Sequence, residues 1–367
     1  MLEKFLPSVV AFSPEADVVV ADNASDDSSL EFLKANYPSL RVIQLDRNYG
    51  FADGYNKALA QVDAEYYILL NSDVEVTEGW IAPLLSFMDE NRTVAACQPK
   101  LLDYKNKSSF EYAGAAGGFI DRYGYPYCRG RVFDTVEKDF GQYNEVCSIF
   151  WATGAAMMVR SNDYWAVGGL DGRFFAHMEE VDFCWRLKAR GSEICCVPHS
   201  AVYHVGGATL DKSNPRKTFL NFRNNLLMLY KNLPAKELRG IMCVRALLDY
   251  VAAFKFLLSG SFGDFKAVIK ARCEYKRMRA GIIKTNYVDC TDIDSIIEKS
   301  LPKVISELDP HSVYIPKKDV EETNSYAAVR KENLARTVIC QPVGRTPFML
   351  LWQYYARGRK VFNKLKL

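Results

Sequence analysis

The sequence predicts an α/β fold: an open mixed, mainly parallel sheet flanked by helices, with a helical extension toward the C-terminus. Three runs support the sheet, DVVVAD (17–22), RVIQLD (41–46) and EYYILLN (65–71). They are almost continuously apolar and rich in β-branched or aromatic residues, as expected for strands buried on both faces. Helical patterns at 29–37 and 52–62 lie between them. This alternation of strand and helix is typical of a parallel sheet.

Further helices are predicted at the start of the chain (1–12), at 178–189, at 214–232 and at 241–260. The last of these is the most apolar long stretch, but Arg245, Asp249 and Lys255 interrupt it, which argues against a membrane span. One face is apolar, so the stretch is either a core helix or a helix that lies on a membrane surface.

Polar residues follow each predicted strand. Asp22 and Asn23 end the first, Asn48 and Gly50 follow the second, and Asp73 follows the third. Because ligands of open α/β sheets bind at the carboxyl ends of the strands, these groups should share one rim. Carboxylates repel phosphate unless a divalent cation lies between them, so Asp73, a cation and a diphosphate form the simplest combination. The alternative for Asp26 and Asp27 is a helix N-terminal cap.

Composition narrows the class of protein. A net charge of +3 over 367 residues does not favour nucleic-acid binding. The ten cysteines include no CxxC pair, which argues against a zinc site and suits reduced thiols in a cytosolic protein. The N-terminus does not resemble a secretory signal. After Glu332 the chain is basic without acidic residues, which indicates either a solvated terminus or a patch for anionic lipid.

Six blocks in order resemble the family 2 glycosyltransferases of GT-A (Rossmann-like) fold, in particular rhamnosyltransferase-like bacterial members. They are VVVADNASDDSS, RNYGFADGYNKAL, YYILLNSDVEV, WATGAAMMVRS, GGLDGRFFAHMEEVDFCWRLKARG and VYHVGGATL, within residues 1–235. The resemblance implies inverting transfer of a sugar from a nucleotide-diphosphate sugar. It implies a glycan or lipid-linked acceptor, and a role in cell-surface polysaccharide synthesis.

The resemblance also implies roles for individual residues. The nucleotide site would comprise Asp22, Asn23, Asn48, Gly50, Asn56 and Asn71. Asp73 and His204 would hold a divalent metal, Mn²⁺ or Mg²⁺, with Asn71 at the first position of the metal motif, where a carboxylate is usual. Thr153, Gly154 and Ala155 would form the loop that borders the sugar and the acceptor.

Three carboxylates of 174–191 receive different roles. Glu180 stands at the position of the family's catalytic base, with Glu179 as an orienting neighbour or a solvated helix start. Asp182 and Arg186 are i,i+4 on the predicted helix, which predicts an ion pair and a structural role for Asp182. Farther on, Arg216 and Arg223 would either meet phosphates or pack on the protein.

Two departures from the family pattern lead to further expectations. Family members open with a buried strand, whereas this chain starts in the helix that would follow it, so the sheet should lack one strand and the base pocket one wall. Residues 286–324, notably LDPHSVYIP, resemble a helical segment of carboxy-terminal processing proteases, but the catalytic Ser and Lys of those proteases have no counterpart.

The predicted organisation has five parts: 1–105, nucleotide-sugar-binding half; 106–235, acceptor and catalytic half; 236–283, amphipathic helical extension; 284–324, atypical inserted segment; 325–367, basic tail. We expect a cytoplasmic glycosyltransferase, peripheral at the inner face of the membrane, with an anionic membrane surface as a further partner. The alternatives are a catalytically impaired nucleotide-sugar-binding protein and a structural or partner-binding protein.

Overall fold

A computed structural model describes residues 1–206, 214–282, 284, 345–346 and 360–364. Its helices are Leu2–Ala11 (α1), Ser29–Asn36 (α2), Gly50–Leu59 (α3), Ile81–Glu90 (α4), Ser161–Ala166 (α5), Glu179–Ala189 (α6), Pro215–Asn232 (α7), Ala235–Leu258 (α8) and Phe262–Met278 (α9). Its strands are Val19–Asp22 (β1), Arg41–Gln44 (β2), Tyr66–Leu70 (β3), Val74–Val76 (β4), Val94–Asp103 (β5), Gly118–Asp121 (β6), Pro126–Cys128 (β7), Arg131–Val132 (β8), Thr135–Val136 (β9), Cys147–Ser148 (β10), Ala156–Arg160 (β11), Glu193–His204 (β12) and Arg345–Thr346 (β13).

The largest sheet has the strand order β10-β12-β5-β11-β3, and β4 also pairs with β12. Strands β12 and β5 are parallel, and β11 lies antiparallel between β5 and β3. The strands β3, β5 and β12 therefore point the same way. Their carboxyl ends, and the segment that leads into β11, meet at one edge of the sheet. We call this edge the active-site rim.

The pairing of the first strands differs from a single continuous parallel sheet. As expected, β1 and β2 are parallel, but they form a sheet of their own, and β3 pairs with β11 instead. No described strand hydrogen-bonds both β1 and β3. Between the two sheets, the Tyr55 hydroxyl of α3 donates to the backbone oxygen of Leu70 at 3.0 Å. A side chain thus satisfies a carbonyl group on the side of β3 that faces α3.

The core beneath the rim is built from aromatic side chains of α6 and its neighbours. Trp185 and Phe183 of α6 are fully buried. The ring of Trp185 lies edge-on to Phe150 at 5.3 Å, and Phe183 contacts Tyr164 at 5.1 Å. Burying such rings removes about 150–250 Å² each from water. Because these aromatic side chains of α6 face the core, they determine which of its acidic residues face the rim.

Helix α8 buries a mixed face, in which Ile241 and Ala253 flank two charged residues. Arg245 and Asp249 are buried and ion-paired at 3.1 Å, and Arg272 of α9 completes the cluster at 2.5 Å from Asp249. The exposed large side chains of α8 form one apolar stripe, spaced i, i+3, i+4, i+7 and i+11: Leu247, Tyr250, Val251, Phe254 and Leu258. We call it the α8 stripe. The core-helix interpretation of 241–260 holds only in part, because Ile241 and Ala253 are buried whereas the α8 stripe is largely exposed. Among the described residues, no helix has the length and apolar character needed to cross a membrane.

A smaller sheet, β6 to β9 with β13 beside β6, covers one side of the main sheet. Phe362 from the basic tail is buried against it, 5.3 Å from the ring of Phe119 and 6.0 Å from that of Tyr143. Its backbone N–H donates to the carboxylate of Glu137. Part of the tail thus packs on the domain. The protease-like segment 286–324 and most of the tail lie outside the described residues.

Candidate active site

Asp73, His204 and Glu111 form a buried cluster at the active-site rim. His204 ends β12, and its Nε2 lies 3.2 Å from Oδ1 of Asp73, which follows β3. On the other side of the ring, Oε1 of Glu111 lies 3.3 Å from Nδ1. Burial alone would lower the pKa of His204, but the contacts with Asp73 and Glu111 outweigh it and raise the pKa to about 10. The imidazolium charge offsets one of the two carboxylate charges.

The residues present fit a divalent cation. Two atoms that each bind the same ion at about 2.0–2.2 Å are about 3 Å apart. The distance between His204 Nε2 and Asp73 Oδ1, 3.2 Å, is close to this value. Glu111 is placed as the carboxylate that orients a ligating imidazole. Within the described part of the chain, no three His, Cys, Asp or Glu side chains form a cluster that could hold a metal. Two protein ligands supplemented by diphosphate oxygens and water are nevertheless usual for Mg²⁺.

The loop Thr153–Gly154–Ala155 lies beside this cluster. The backbone N–H of Asn71 donates to the carbonyl of Ala155 at 2.9 Å, which joins the end of β3 to the loop. A Cβ on Gly154 would come within 2.9 Å of the Phe51 ring and 3.8 Å of the Glu180 Cβ. Thr153 is buried, and its backbone N–H donates to the side-chain amide oxygen of Gln98. A side chain at position 154 would therefore push on the Phe51 ring, whereas the Glu180 Cβ would lie at an ordinary contact distance.

Glu179 and Glu180 open helix α6 next to Gly154. Oε2 of each carboxyl is buried without a hydrogen-bond partner among the described residues. Burial and the charge of Glu180 raise the pKa of Glu179 well above its usual range. Burial also raises the pKa of Glu180, to about 7, although backbone N–H groups at the helix start oppose the shift. Glu179 is not a solvated helix start, since its side chain is buried.

The segment before α6 has an unusual backbone. Phe175, His177 and Met178 all have positive φ, at 66°, 70° and 70°. Such angles are uncommon for residues other than glycine and cost energy. The side-chain amide of Asn224 on α7 donates to the carbonyls of Phe174, Ala176 and His177 at 2.8–2.9 Å. Helix α7 therefore holds the strained segment that presents Glu180.

Asp182 has a different environment. It is fully buried, and its carboxylate accepts three hydrogen bonds. The donors are Nε of Arg186 at 2.8 Å, Nζ of Lys231 at 2.8 Å and the side-chain amide of Asn232 at 2.7 Å. The predicted i,i+4 pair with Arg186 is confirmed. Its partners leave no room for a reacting group, so the carboxylate joins α6 to α7.

The predicted nucleotide residues form a second cluster at the end of β1. The Asn23 side chain donates to the carbonyl of Gly50 at 2.8 Å and accepts the N–H of Tyr49 at 2.9 Å. Asn48 accepts the N–H of Gly50, which has φ +75°. Asp22 is buried and accepts the N–H of Ser25.

Asn56 lies apart from this turn. Its amide oxygen accepts the hydroxyl of Tyr164 and the N–H of Leu170, and its NH₂ donates to the carbonyl of Leu170. The structure thus places Asn56 as a link between α3 and the segment after α5, rather than in the nucleotide turn.

Sequence reasoning missed Glu111, Tyr55 and Asn224. Glu111 and Asn224 act across long separations, and neither stands in a motif. A weak signal existed for Tyr55, because it lies in the RNYGFADGYNKAL block on the face of α3 next to β3.

Comparisons with known proteins address the family. The chain is 27% identical over 218 residues to the N-acetylglucosaminyl-diphospho-decaprenol L-rhamnosyltransferase of Mycobacterium tuberculosis, covering 55% of this chain and 71% of that protein. It is 24% identical over 210 residues to the rhamnosyltransferase WbbL of Escherichia coli, covering 55% and 78%. Residues 1–154 match the model of Glycosyl transferase family 2. Residues 1–154 are therefore similar to the glycosyltransferases of family 2.

A comparison with a solved structure covers more of the chain than the family match does. GalNAc-T7, solved with UDP, GalNAc and Mn²⁺, superposes with a TM-score of 0.51 and 17% identity, over 80% of this chain and 55% of that one. At this identity the likeness concerns the fold alone. The predicted GT-A-like fold is confirmed, and the matches make the chain a glycosyltransferase of glycan or polysaccharide synthesis.

Proposed function

We propose that the glycosyltransferase moves a sugar, with inversion, from a nucleotide-diphosphate sugar to a hydroxyl of a glycan or lipid-linked acceptor in cell-surface polysaccharide synthesis. The observation that carries the proposal is Glu180, a carboxyl without a partner on Oε2, with a pKa of about 7, beside the small-residue loop. A general base works best when its pKa lies near the working pH.

Glu180 takes the proton of the acceptor hydroxyl as that oxygen attacks the anomeric carbon. Glu179 is neutral because burial raises its pKa, so no second negative charge stands beside the base. Its side chain also restricts the movement of the Glu180 carboxylate. Phe51 and the loop Thr153–Gly154–Ala155 close the site around the sugar and exclude water, which would otherwise hydrolyse the donor.

The donor lies along the rim between the two polar clusters. Asp22, Asn23, Asn48 and Gly50 contact the nucleotide, and Asn71 lies between the nucleotide and the sugar loop. Asp73 and His204 hold Mn²⁺ or Mg²⁺, with Glu111 behind the imidazole. When bound, the ion supplies charge neutralisation for the leaving diphosphate.

The enzyme works in the cytoplasm, peripheral to the inner face of the membrane. The α8 stripe supports this part of the proposal, since its five large apolar side chains are 51–73% exposed. Contiguous exposed apolar surface of this kind marks interaction sites for membranes or partners.

Calorimetric binding of UDP, TDP and GDP, each with and without Mn²⁺, tests the donor site. We expect one nucleotide to bind in a metal-dependent manner, and Asp73→Asn to abolish the metal dependence. Asp17→Asn is the matched control, because Asp17 is exposed and precedes β1, at the opposite end of that strand from Asp22.

Turnover with the bound nucleotide's sugar then separates the alternatives. Transfer or donor hydrolysis that Glu180→Gln removes, with nucleotide binding intact, supports catalysis. Binding with neither reaction favours the impaired binding protein. A folded chain that binds no nucleotide, and for which Asp73→Asn has no effect, would point to a structural protein.

A further inference from the structure

A groove of about 610 Å³ lies between α7 and α9, outside the two polar clusters of the candidate active site. Four of its lining side chains are cationic: Arg216, Arg223, Lys266 and Lys270. Two aromatic rings, Phe175 and Phe219, line it as well. A concave surface that combines several cations with apolar walls suits an anion attached to an apolar body.

The protein neutralises these cations only in part, since Glu274 attracts the charge of Arg223 without forming an ion pair with it. Among the described residues, none of the four forms an ion pair with a carboxylate. Three of the four lie over aromatic rings: Arg216 is 5.4 Å from the centre of Phe175, and Arg223 and Lys270 are 5.2 and 5.3 Å from that of Phe219.

The nearby acids have other partners. Asp264 accepts the hydroxyl of Thr218, and Glu274 pairs with Arg277 at 3.5 Å. The positive charge of the groove is therefore available to a ligand.

Helix geometry adds to this field. Pro215 begins α7 and Gly263 lies in the first turn of α9, and a Cβ on Gly263 would come within 2.7 Å of the Pro215 ring. The two helices, 18 and 17 residues long, thus bring their N-terminal ends together beside Arg216. The helix dipoles favour negative charge there.

The groove shares a wall with the segment that presents the base. Phe175 lines the groove, and its carbonyl accepts the N–H of Phe51 at 2.7 Å. Arg223 donates to the carbonyl of Phe174 at 3.0 Å, next to the bonds that Asn224 makes to the same segment. The groove and the base are therefore connected through one short segment, since Phe175 stands five residues before Glu180 in the chain.

Apolar surface continues from the open end of the groove. Phe262, the residue before Gly263, is 60% exposed, and Leu258, which ends the α8 stripe, is 73% exposed. Only the turn 259–261 separates them. An apolar chain that leaves the groove at Gly263 would pass onto Phe262 and then along the stripe.

Building on the proposed function, we infer that this groove binds the phosphate or diphosphate of a lipid-linked acceptor, with its isoprenoid or acyl chain on Phe262 and the α8 stripe. Arg216, Arg223, Lys266 and Lys270 hold the phosphate oxygens. The sugar hydroxyl beyond the phosphate reaches Glu180. Of the two acceptor classes proposed above, this selects the lipid-linked one.

Calorimetry with farnesyl diphosphate tests the groove independently of turnover. We expect the full chain to bind it, and Lys266→Ala/Lys270→Ala to bind it about 10- to 100-fold more weakly, because two charge-assisted contacts are lost. Lys236→Ala/Lys276→Ala, at exposed positions of α8 and α9, is the charge-matched control and should bind normally. Leu258→Ser/Phe262→Ser should weaken farnesyl diphosphate but not inorganic diphosphate.

Nucleotide binding with Mn²⁺, measured on the same variants, separates this inference from the donor site. Unchanged nucleotide affinity in Lys266→Ala/Lys270→Ala supports a distinct acceptor groove. An equal loss for nucleotide and farnesyl diphosphate would assign the groove to the donor and overturn the inference. So would a chain that binds nucleotide but no farnesyl diphosphate, or a control variant that loses as much as the groove variant. If the chain binds farnesyl diphosphate but no nucleotide, the proposed function is contradicted while the groove remains supported as a binding site.

Discussion

Glu180 and Asp182 lie two residues apart on α6, yet their surroundings are opposite. Asp182 receives three donors and joins α6 to α7, whereas Oε2 of Glu180 has no described hydrogen-bond partner and the carboxyl has a pKa of about 7. Both are acids beside aromatic residues in the sequence. A carboxylate with saturated partners stabilises the fold, and one deprived of partners is free to exchange a proton.

Replacing the base should give the largest effect. We expect Glu180→Gln to lower turnover by about 10²–10⁴-fold, because proton removal by a positioned base is lost. The measurement is transfer rate alongside nucleotide affinity and thermal stability, both of which should be preserved. Retained turnover in a folded Glu180→Gln protein would remove Glu180 from the chemistry.

Replacing the structural acid should instead reduce stability. Asp182→Asn leaves Arg186 and Lys231 without their shared charge in a buried place, at a cost on the order of 3–5 kcal/mol in the free energy of unfolding. Urea unfolding checks this. Glu65→Gln, which removes the exposed partner of Arg92, is the control and should change little. A stable but inactive Asp182→Asn protein would contradict the division of roles.

Glu111 extends the comparison to a carboxylate that acts through a neighbour. If it orients His204 as a metal ligand, Glu111→Gln should weaken Mn²⁺ binding in the presence of nucleotide about 10- to 100-fold. Calorimetry of Mn²⁺ gives the value without any turnover. Glu75→Gln, near the surface, is the control. Equal Mn²⁺ affinity in Glu111→Gln and the parent chain would leave Glu111 as packing only.

The pH dependence of activity and stability tests the role of Glu180 directly. Activity should rise as the pH increases through about 7, because Glu180 must lose its proton to act as base. Its folded-state pKa exceeds the ordinary value of 4.5, so its contribution to stability is full below that value and is lost as the pH rises through about 7.

The stability difference between Glu180→Gln and the parent chain should therefore shift in favour of the variant from pH 5 to pH 8. Thermal melts at the two pH values measure it. A pH-independent difference would mean that the Glu180 carboxyl does not titrate in this range.

Local patterns predicted much of this molecule. The strands at 19–22, 41–44 and 66–70, and the helices α2, α3, α6 and α7, follow from apolar periodicity, and the Asp182–Arg186 pair follows from i,i+4 spacing. Long-range partners did not follow. Lys231 and Asp182 are 49 positions apart, and Glu111 and His204 are 93 positions apart, so no spacing rule applies to either pair.

The sequence also did not predict which face of α8 packs on the protein. Periodicity showed that one face is apolar, but which face meets the protein depends on Arg272 and Tyr125, which attract Arg245 and Asp249 inward. The separation of β1 from β3 likewise depends on strand partners elsewhere in the chain.

The exposed α8 stripe has a consequence for how the purified glycosyltransferase behaves in solution. Salt screens exposed charges, but the Arg245–Asp249–Arg272 cluster is buried and is screened little. Sulfate at high concentration strengthens the association of apolar surface. Rising ammonium sulfate should therefore leave the fold intact while driving copies together through Leu247, Val251 and Phe254, and a mild detergent should disperse them.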